Sequence, residues 1–130
     1  LSTGEMEEVV AAHPMIAECS VIGVHDSLKG QIPVGLVLLK DGAAIDEESL
    51  QKELVEMMRK EIGPIACFQR AVIVPRLPKT RSGKILRKLL RQIASNHLLS
   101  VPSTIDDPAS VAEIQAIMQK QGLVKEMSEE

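Results

Sequence analysis

Apolar residues recur along this chain at two different spacings, and the changes from one spacing to the other mark out its elements. Ser2-Thr3-Gly4-Glu5 has the form of a capping box, and Met6, Val9 and Val10 follow on one side of a helix that should end near His13, before Pro14. Residues 18–24 are β-branched and apolar enough for a strand, and residues 32–39 form a second, nearly continuous apolar run suited to a buried strand, with residues 25–31 as the loop between them. His25 in that loop reads equally well as a surface histidine and as a functional one. Asp41-Gly42 marks a turn. Asp46 then caps a second helix with Glu47 and Glu48 in its first turn, Leu50, Leu54, Met57, Met58 and Ile62 on its apolar side, and Gly63-Pro64 as its stop. Residues 65–68 form a packed connector, and 70–74 a third, short strand leading through Pro75-Arg76-Leu77. Ile85, Leu86, Leu89, Leu90 and Ile93 give a third helix running to about Ala94. Residues 95–107 show no periodicity and read as surface loop. Asp107 as N-cap and Pro108 at the first helical position open a last helix with Val111, Ile114, Ile117 and Met118 on one face and Gly122 as its end; the tail through Glu130 is charged. This order, with a short three-stranded sheet, a possible small hairpin and flanking helices, predicts a small α+β sandwich and not a doubly wound parallel sheet.

One stretch breaks the even spread of charge. Between positions 76 and 91 stand Arg76, Lys79, Arg81, Lys84, Arg87, Lys88 and Arg91, seven of the fifteen Lys and Arg, with no Asp or Glu among them; the other eight cations face all eighteen acids. Pro78, the short polar residues and Gly83 predict a turn that delivers these cations to the start of a helix, where they oppose its macrodipole at a cost of roughly 0.3–1 kcal/mol each. For Arg87, Lys88 and Arg91 a solvated helix face is explanation enough. Lys79, Arg81 and Lys84, beside backbone N–H groups expected to be free, are placed to meet an anion such as a phosphate or a carboxylate. The loop is not a Walker A motif, because Pro78 stands where its first glycine belongs and Ile85 where its Ser or Thr belongs.

Composition narrows the choice. The 130 residues make one domain with a modest core. Phe68 is the sole aromatic residue, which argues against any function that stacks bases on rings. A net charge of −3 gives no global attraction to nucleic acid or to a membrane surface, so an anion site must be local. Cys19 and Cys67 form no CxxC pair and read as buried thiols in a reducing compartment, with no metal site and no disulfide framework. No apolar run reaches membrane-spanning length, and no signal peptide is expected.

Pro78-Lys79-Thr80-Arg81-Ser82-Gly83-Lys84, continuing into Ile85, resembles the last core motif of the adenylate-forming superfamily of acyl-CoA synthetases, luciferases and peptide-synthetase adenylation domains. The resemblance extends through Met58-Arg59-Lys60-Glu61-Ile62-Gly63-Pro64, Leu28-Lys29-Gly30-Gln31 and Ser103-Thr104-Ile105-Asp106-Asp107-Pro108, and covers nearly the whole chain. Glu5-Met6-Glu7 stands where the family has Glu-Ile-Glu after a Gly-His-Arg loop. Among the branches, the mobile C-terminal domain of short-chain acyl-CoA synthetases is nearest, propionate-CoA ligase before acetate-CoA ligase. The resemblance implies that residues 1–130 are the C-terminal lid domain of a longer enzyme, with 96–130 as a C-terminal extension, a large N-terminal domain absent from this chain, and no activity of this portion alone. It implies that Lys84 is the catalytic lysine of acyl-adenylate formation, that Gly83 gives its loop freedom, and that Arg59 meets a phosphate of coenzyme A, while Lys79 and Arg81 assist with anions. ATP, coenzyme A and a short-chain carboxylate are the implied substrates, with Mg2+ bound outside this domain. A lysine acetyltransferase and deacetylase acting on Lys84 are possible partners, nucleic acid and membrane are not, and the cytoplasm, or else the mitochondrial matrix, is the expected location. Two other classes stay open on the residues alone: a module that binds nucleic acid or an acidic partner through the basic loop and helix, and a small non-catalytic domain that binds a regulatory metabolite.

Overall fold

The computed structural model describes residues 2–64 and 66–126; the expectations for Ile65 in the connector and for the last residues of the charged tail fall outside the described residues. The element order is helix α1 (Thr3–Ala11), strands β1 (Ile16–Asp26) and β2 (Gly30–Leu39), helix α2 (Glu47–Glu61), strand β3 (Arg70–Ile73), and helices α3 (Arg87–Ala94) and α4 (Ala109–Lys120). The sheet runs β1-β2-β3, and β3 lies parallel to β2 with Val34 opposite Arg70 and Val37 opposite Ile73. This is the α+β sandwich expected, with strands longer than the apolar runs because β1 and β2 continue through polar residues to the turn at 27–29. Two compact units divide the chain: residues up to 23 with 32–75, and residues 24–31 with 76 onward.

The first unit is built on one face of the sheet. Met6 and Val10 of α1, Leu50, Leu54 and Met58 of α2, Ile16, Cys19 and Val21 of β1, Val37 of β2, and Phe68 and Ala71 form a single buried cluster. The helix starts follow the sequence signals: Ser2 Oγ accepts the Glu5 N–H at 3.2 Å, and Asp46 Oδ1 accepts the Ser49 N–H at 2.8 Å. The sheet borders are closed by acceptors from the helices. Glu7 Oε2 takes the Val21 N–H at 2.9 Å, and Gln51 Oε1 and Glu47 Oε2 take the N–H groups of Ala71 and Ile73, both at 3.0 Å. These bonds occupy strand groups that would otherwise template another chain. His13, which closes α1, is buried. Its Nδ1 accepts the Met15 N–H at 3.1 Å, so the ring proton sits on Nε2, 2.9 Å from Glu53 Oε1. Cys67 departs from expectation: Cys19 is buried but Cys67 is exposed, on the irregular connector where no strand alternation turns its side chain inward.

In the second unit α3 buries Leu89, Leu90, Ile93 and Ala94, and α4 buries Val111, Ile114 and Met118. Asn96 (φ 57°) and Gly122 (φ 71°) adopt the left-handed conformation just past the ends of α3 and α4. The start of α4 shifts by one residue from the expectation. Pro108 is the N-cap without a side-chain bond, and Asp107 adopts φ 43°. The reason is a competing partner: Asp107 Oδ1 accepts the Ala109 N–H at 3.1 Å while Oδ2 takes Arg76 at 2.6 Å. Arg76 Nε also reaches Glu113 Oε1 at 3.0 Å and a second nitrogen binds Glu113 Oε2, so one guanidinium clamps the start and first turn of α4. Hydrogen bonds from Arg76 hold both carboxyls below the usual carboxylate range.

Two outcomes are expected. A Cβ at Gly35 would lie 3.0 Å from Phe68 Cζ and 3.2 Å from Cε2, and that ring is buried on all sides, so Gly35→Ala should lower stability by about 1–3 kcal/mol in urea unfolding. Because Asp107 and Glu113 have depressed folded-state pKa values, the clamp contributes above the unfolded carboxylate pKa, about 4, and its contribution fades as pH falls through the lower folded values. Arg76→Leu should therefore lower the melting temperature at pH 7, and the gap to wild type should narrow at pH 3.

Candidate functional site

The cations between Pro78 and Ile85 lie on a small hairpin and not on the run-in to a helix. Lys79 bridges to Ile85, the Thr80 N–H donates to the Lys84 carbonyl at 2.8 Å, and the Leu86 N–H donates to the Pro78 carbonyl at 2.9 Å. At the tip the Gly83 N–H donates to the Thr80 carbonyl at 2.8 Å and Gly83 has φ 94°. A turn followed by a left-handed residue is a favoured way to close a short hairpin, and that position requires glycine. Thr80 Oγ1 accepts the Lys84 N–H at 3.1 Å and lies 2.9 Å from Ser82 Oγ. Helix α3 accordingly starts at Arg87, two residues later than the apolar spacing suggests, with Leu86 as an N-cap that makes no side-chain bond.

A second segment holds this hairpin in place. Thr80 bridges to Ile105, the Arg81 N–H donates to the Thr104 carbonyl at 2.9 Å, and the Asp106 N–H donates to the Lys79 carbonyl at 2.8 Å. Residues 103–106 are thus a strap over the hairpin, where the sequence suggested only surface loop. The buried Ile105 side chain anchors it. The backbone N–H groups expected to be free for an anion are used inside the fold: those of Thr80, Arg81, Gly83 and Lys84 all have acceptors. The Arg81 guanidinium also donates to the Ser103 carbonyl at 3.2 Å, so this side chain serves the strap.

Lys84 is exposed at the hairpin tip, as is Arg81. Among the described residues no acidic side chain pairs with its ammonium. Lys79 is half-buried and engaged. Gly83 is exposed with open space around it. On α3, Lys88 and Arg91 face water opposite the buried leucines, as a solvated face should, whereas Arg87 is half-buried and engaged.

Arg59 belongs to the other unit. It is exposed in the last turn of α2, with one guanidinium nitrogen 3.4 Å from Glu56 Oε2, and it lines a groove of about 330 Å³ with Gln51, Lys52, Val55 and Gln69. A weak, solvent-exposed pair of this kind leaves the guanidinium able to exchange its carboxylate for a phosphate. The hairpin thus brings together Lys79, Arg81, Gly83 and Lys84, while Arg59 stands on a separate element. Among the described residues no group of three His, Cys, Asp or Glu is arranged to hold a metal ion, and no helix is long and apolar enough to cross a membrane. Sequence reasoning missed Thr80, Ile105 and the strap. The one available signal was the β-branched pair Thr104-Ile105 between Ser103 and Asp106, which is too short to be separated from loop.

Comparison with known proteins bears on the chain as a whole. The family model of the AMP-binding enzyme C-terminal domain matches residues 5–84, ending on Lys84 itself. An uncharacterized protein of Pseudomonas aeruginosa is 62% identical over 118 residues, covering 91% of this chain and 19% of that protein. The mitochondrial acyl-CoA synthetase short-chain family member B of Dictyostelium discoideum is 49% identical over 120 residues, covering 92% of this chain and 17% of that protein. The chain thus spans less than a fifth of the length of these curated relatives. Among solved structures, the acetoacetyl-CoA synthetase of Streptomyces lividans superposes with a TM-score of 0.75 at 22% identity, over 93% of this chain and 18% of that one, and so shares its fold. With a matched family model over most of its length, a relative's sequence nearly half identical and the same small α+β fold, this chain belongs to the AMP-binding enzyme C-terminal domain family.

Proposed function

We propose that this chain is the mobile C-terminal domain of an ATP-dependent short-chain acyl-CoA synthetase and that Lys84 is its adenylation lysine. The observation that carries the reading is the hairpin: a lysine without an acidic partner among the described residues, exposed at the tip of a turn in which the N–H groups of Thr80, Arg81, Gly83 and Lys84 all have acceptors. In the first half-reaction a carboxylate oxygen attacks the α-phosphorus of ATP, forming acyl-adenylate and expelling pyrophosphate. Two anions must approach each other for this bond to form. An ammonium between them offsets the repulsion and stabilises the charge that develops on the phosphoryl oxygens. In the second half-reaction the thiol of coenzyme A attacks the acyl carbon and AMP departs, a step that does not need the lysine. Rotation of the domain between the two steps would withdraw Lys84 and present another face. Arg59, with its planar fork of donors, is the residue proposed to meet a phosphate of coenzyme A. The partner in both steps is a large N-terminal domain of the kind the longer relatives have room for. Mg2+ is expected with the nucleotide on that partner.

The carboxylate is proposed to be short, propionate first and acetate next. The short-chain name of the Dictyostelium relative supports the length, and the likeness around Ser103–Pro108 favours propionate. Lys84 is also the place where an acetyltransferase and a deacetylase could switch the enzyme, since acetylation removes the charge that the first step uses. Cys19 and Cys67, neither of them in a disulfide, suit a reducing compartment, and the cytoplasm is proposed, with the mitochondrial matrix as the alternative.

In the full-length ligase, Lys84→Ala should cut carboxylate-dependent exchange of pyrophosphate into ATP by about 100- to 1,000-fold while sparing thioester formation from ready-made acyl-adenylate. Enzyme acetylated at Lys84 should behave the same way, and normal exchange in either form would remove the assigned role. Arg59→Ala should do the reverse: exchange unchanged, and KM for coenzyme A raised about 10-fold or more, the loss expected for one charge-assisted bond. An unchanged KM would detach Arg59 from the coenzyme.

A further inference from the structure

The side chain of lysine has four rotatable bonds, so where its ammonium can reach depends on how firmly its backbone is held. At Lys84 both backbone polar groups are held by one residue. The Lys84 N–H donates to Thr80 Oγ1 at 3.1 Å, and the Lys84 carbonyl accepts the Thr80 N–H at 2.8 Å. Thr80 is itself pinned from the other side. It bridges to Ile105, and its neighbours Lys79 and Arg81 exchange backbone hydrogen bonds with Asp106 and Thr104 at 2.8 and 2.9 Å. Arg76, through Asp107, fastens the end of that strap to α4. A continuous set of bonds thus leads from the buried Ile105 through Thr80 to Lys84, all within the second unit.

We propose that Thr80 is a positioning residue for Lys84: its hydroxyl, by accepting the Lys84 N–H, fixes the backbone from which the ammonium extends, and the strap at residues 103–106 fixes Thr80. This rests on the reading of Lys84 as the adenylation lysine. The turn alone does not do the work. The Gly83 N–H closes it onto the Thr80 carbonyl, and without the hydroxyl the next N–H, that of Lys84, has only water to bond. Water does not set a direction. The base of the lysine is then held through its carbonyl alone, and a displacement of about 1 Å at a reacting centre can cost on the order of 100-fold in rate. Ser82 Oγ lies 2.9 Å from Thr80 Oγ1, a bond in which either hydroxyl can donate, and in both arrangements the Thr80 oxygen keeps a lone pair for the Lys84 N–H.

The test uses the full-length ligase with Thr80→Val, which keeps the shape and strand preference but loses the hydroxyl, and Thr80→Ser, which keeps the hydroxyl. Thr80→Val should lower kcat of pyrophosphate exchange about 10- to 100-fold, leave the KM for carboxylate and thioester formation from acyl-adenylate unchanged, and speed hydrogen exchange at the Lys84 amide. Thr80→Ser should stay within about threefold of wild type in all four measurements. Wild-type exchange in Thr80→Val, equal loss of both half-reactions, or a Thr80→Ser enzyme as impaired as Thr80→Val would each overturn the proposal. Lys84→Ala run in parallel separates the two levels. Full activity there removes the adenylation reading and this proposal with it, whereas an inactive Lys84→Ala beside a fully active Thr80→Val removes the positioning role alone.

Discussion

A backbone N–H that leaves water without finding an acceptor costs about 1–3 kcal/mol, and the way this chain answers that demand shapes both of its units. In the first, a sheet of three strands has two open borders, and Glu7, Gln51 and Glu47 reach from the helices to occupy the outward N–H groups. Polar residues on otherwise amphipathic helices thereby become part of the sheet. In the second, the same demand at the basic hairpin is met by Thr80, by the turn and by the strap. What remains for chemistry is the side chain that none of these bonds uses.

The sorting of the cations follows from this. Seven Lys and Arg crowd residues 76–91, yet they do not act as one charged surface. Arg76 is consumed by Asp107 and Glu113, Arg81 by the Ser103 carbonyl, and Lys88 and Arg91 lie on the wet face of α3. Holding a loop by its own arginines frees one lysine to project from a defined origin. An exposed ammonium costs little to keep charged in water, and its effect grows when it enters a site from which water is excluded. A lysine on a tip held by backbone bonds suits the proposed reaction, which needs it for one step only.

Much of this was readable in advance where the signal is local. Ser2 and Asp46 cap their helices because a short polar side chain before an apolar repeat has little else to do, and Gly122 ends α4 in the left-handed conformation glycine favours. Gly83 was placed in a turn for the same reason. The errors fall where two partners compete. Ile85 and Leu86 fit the helical repeat, but Lys79 and Pro78 claim their backbones for the hairpin, so α3 waits until Arg87. Asp107 has the character of a cap, but Arg76 takes half of its carboxylate and the helix start moves.

The sequence alone determined the element order, the α+β class, the concentration of positive charge and the motif around Lys84, because periodicity, capping and turn chemistry are read within a few residues of where they act. Only the tertiary structure decided that residues 103–106 would be a strap, that Arg81 would point to it, that His13 would be buried beside Glu53, and that Cys67 would be exposed. Each of these rests on a partner twenty or more residues away, or on an irregular backbone that no period describes. Pattern along the chain carries no information about which distant carbonyl or carboxylate will stand within 3 Å.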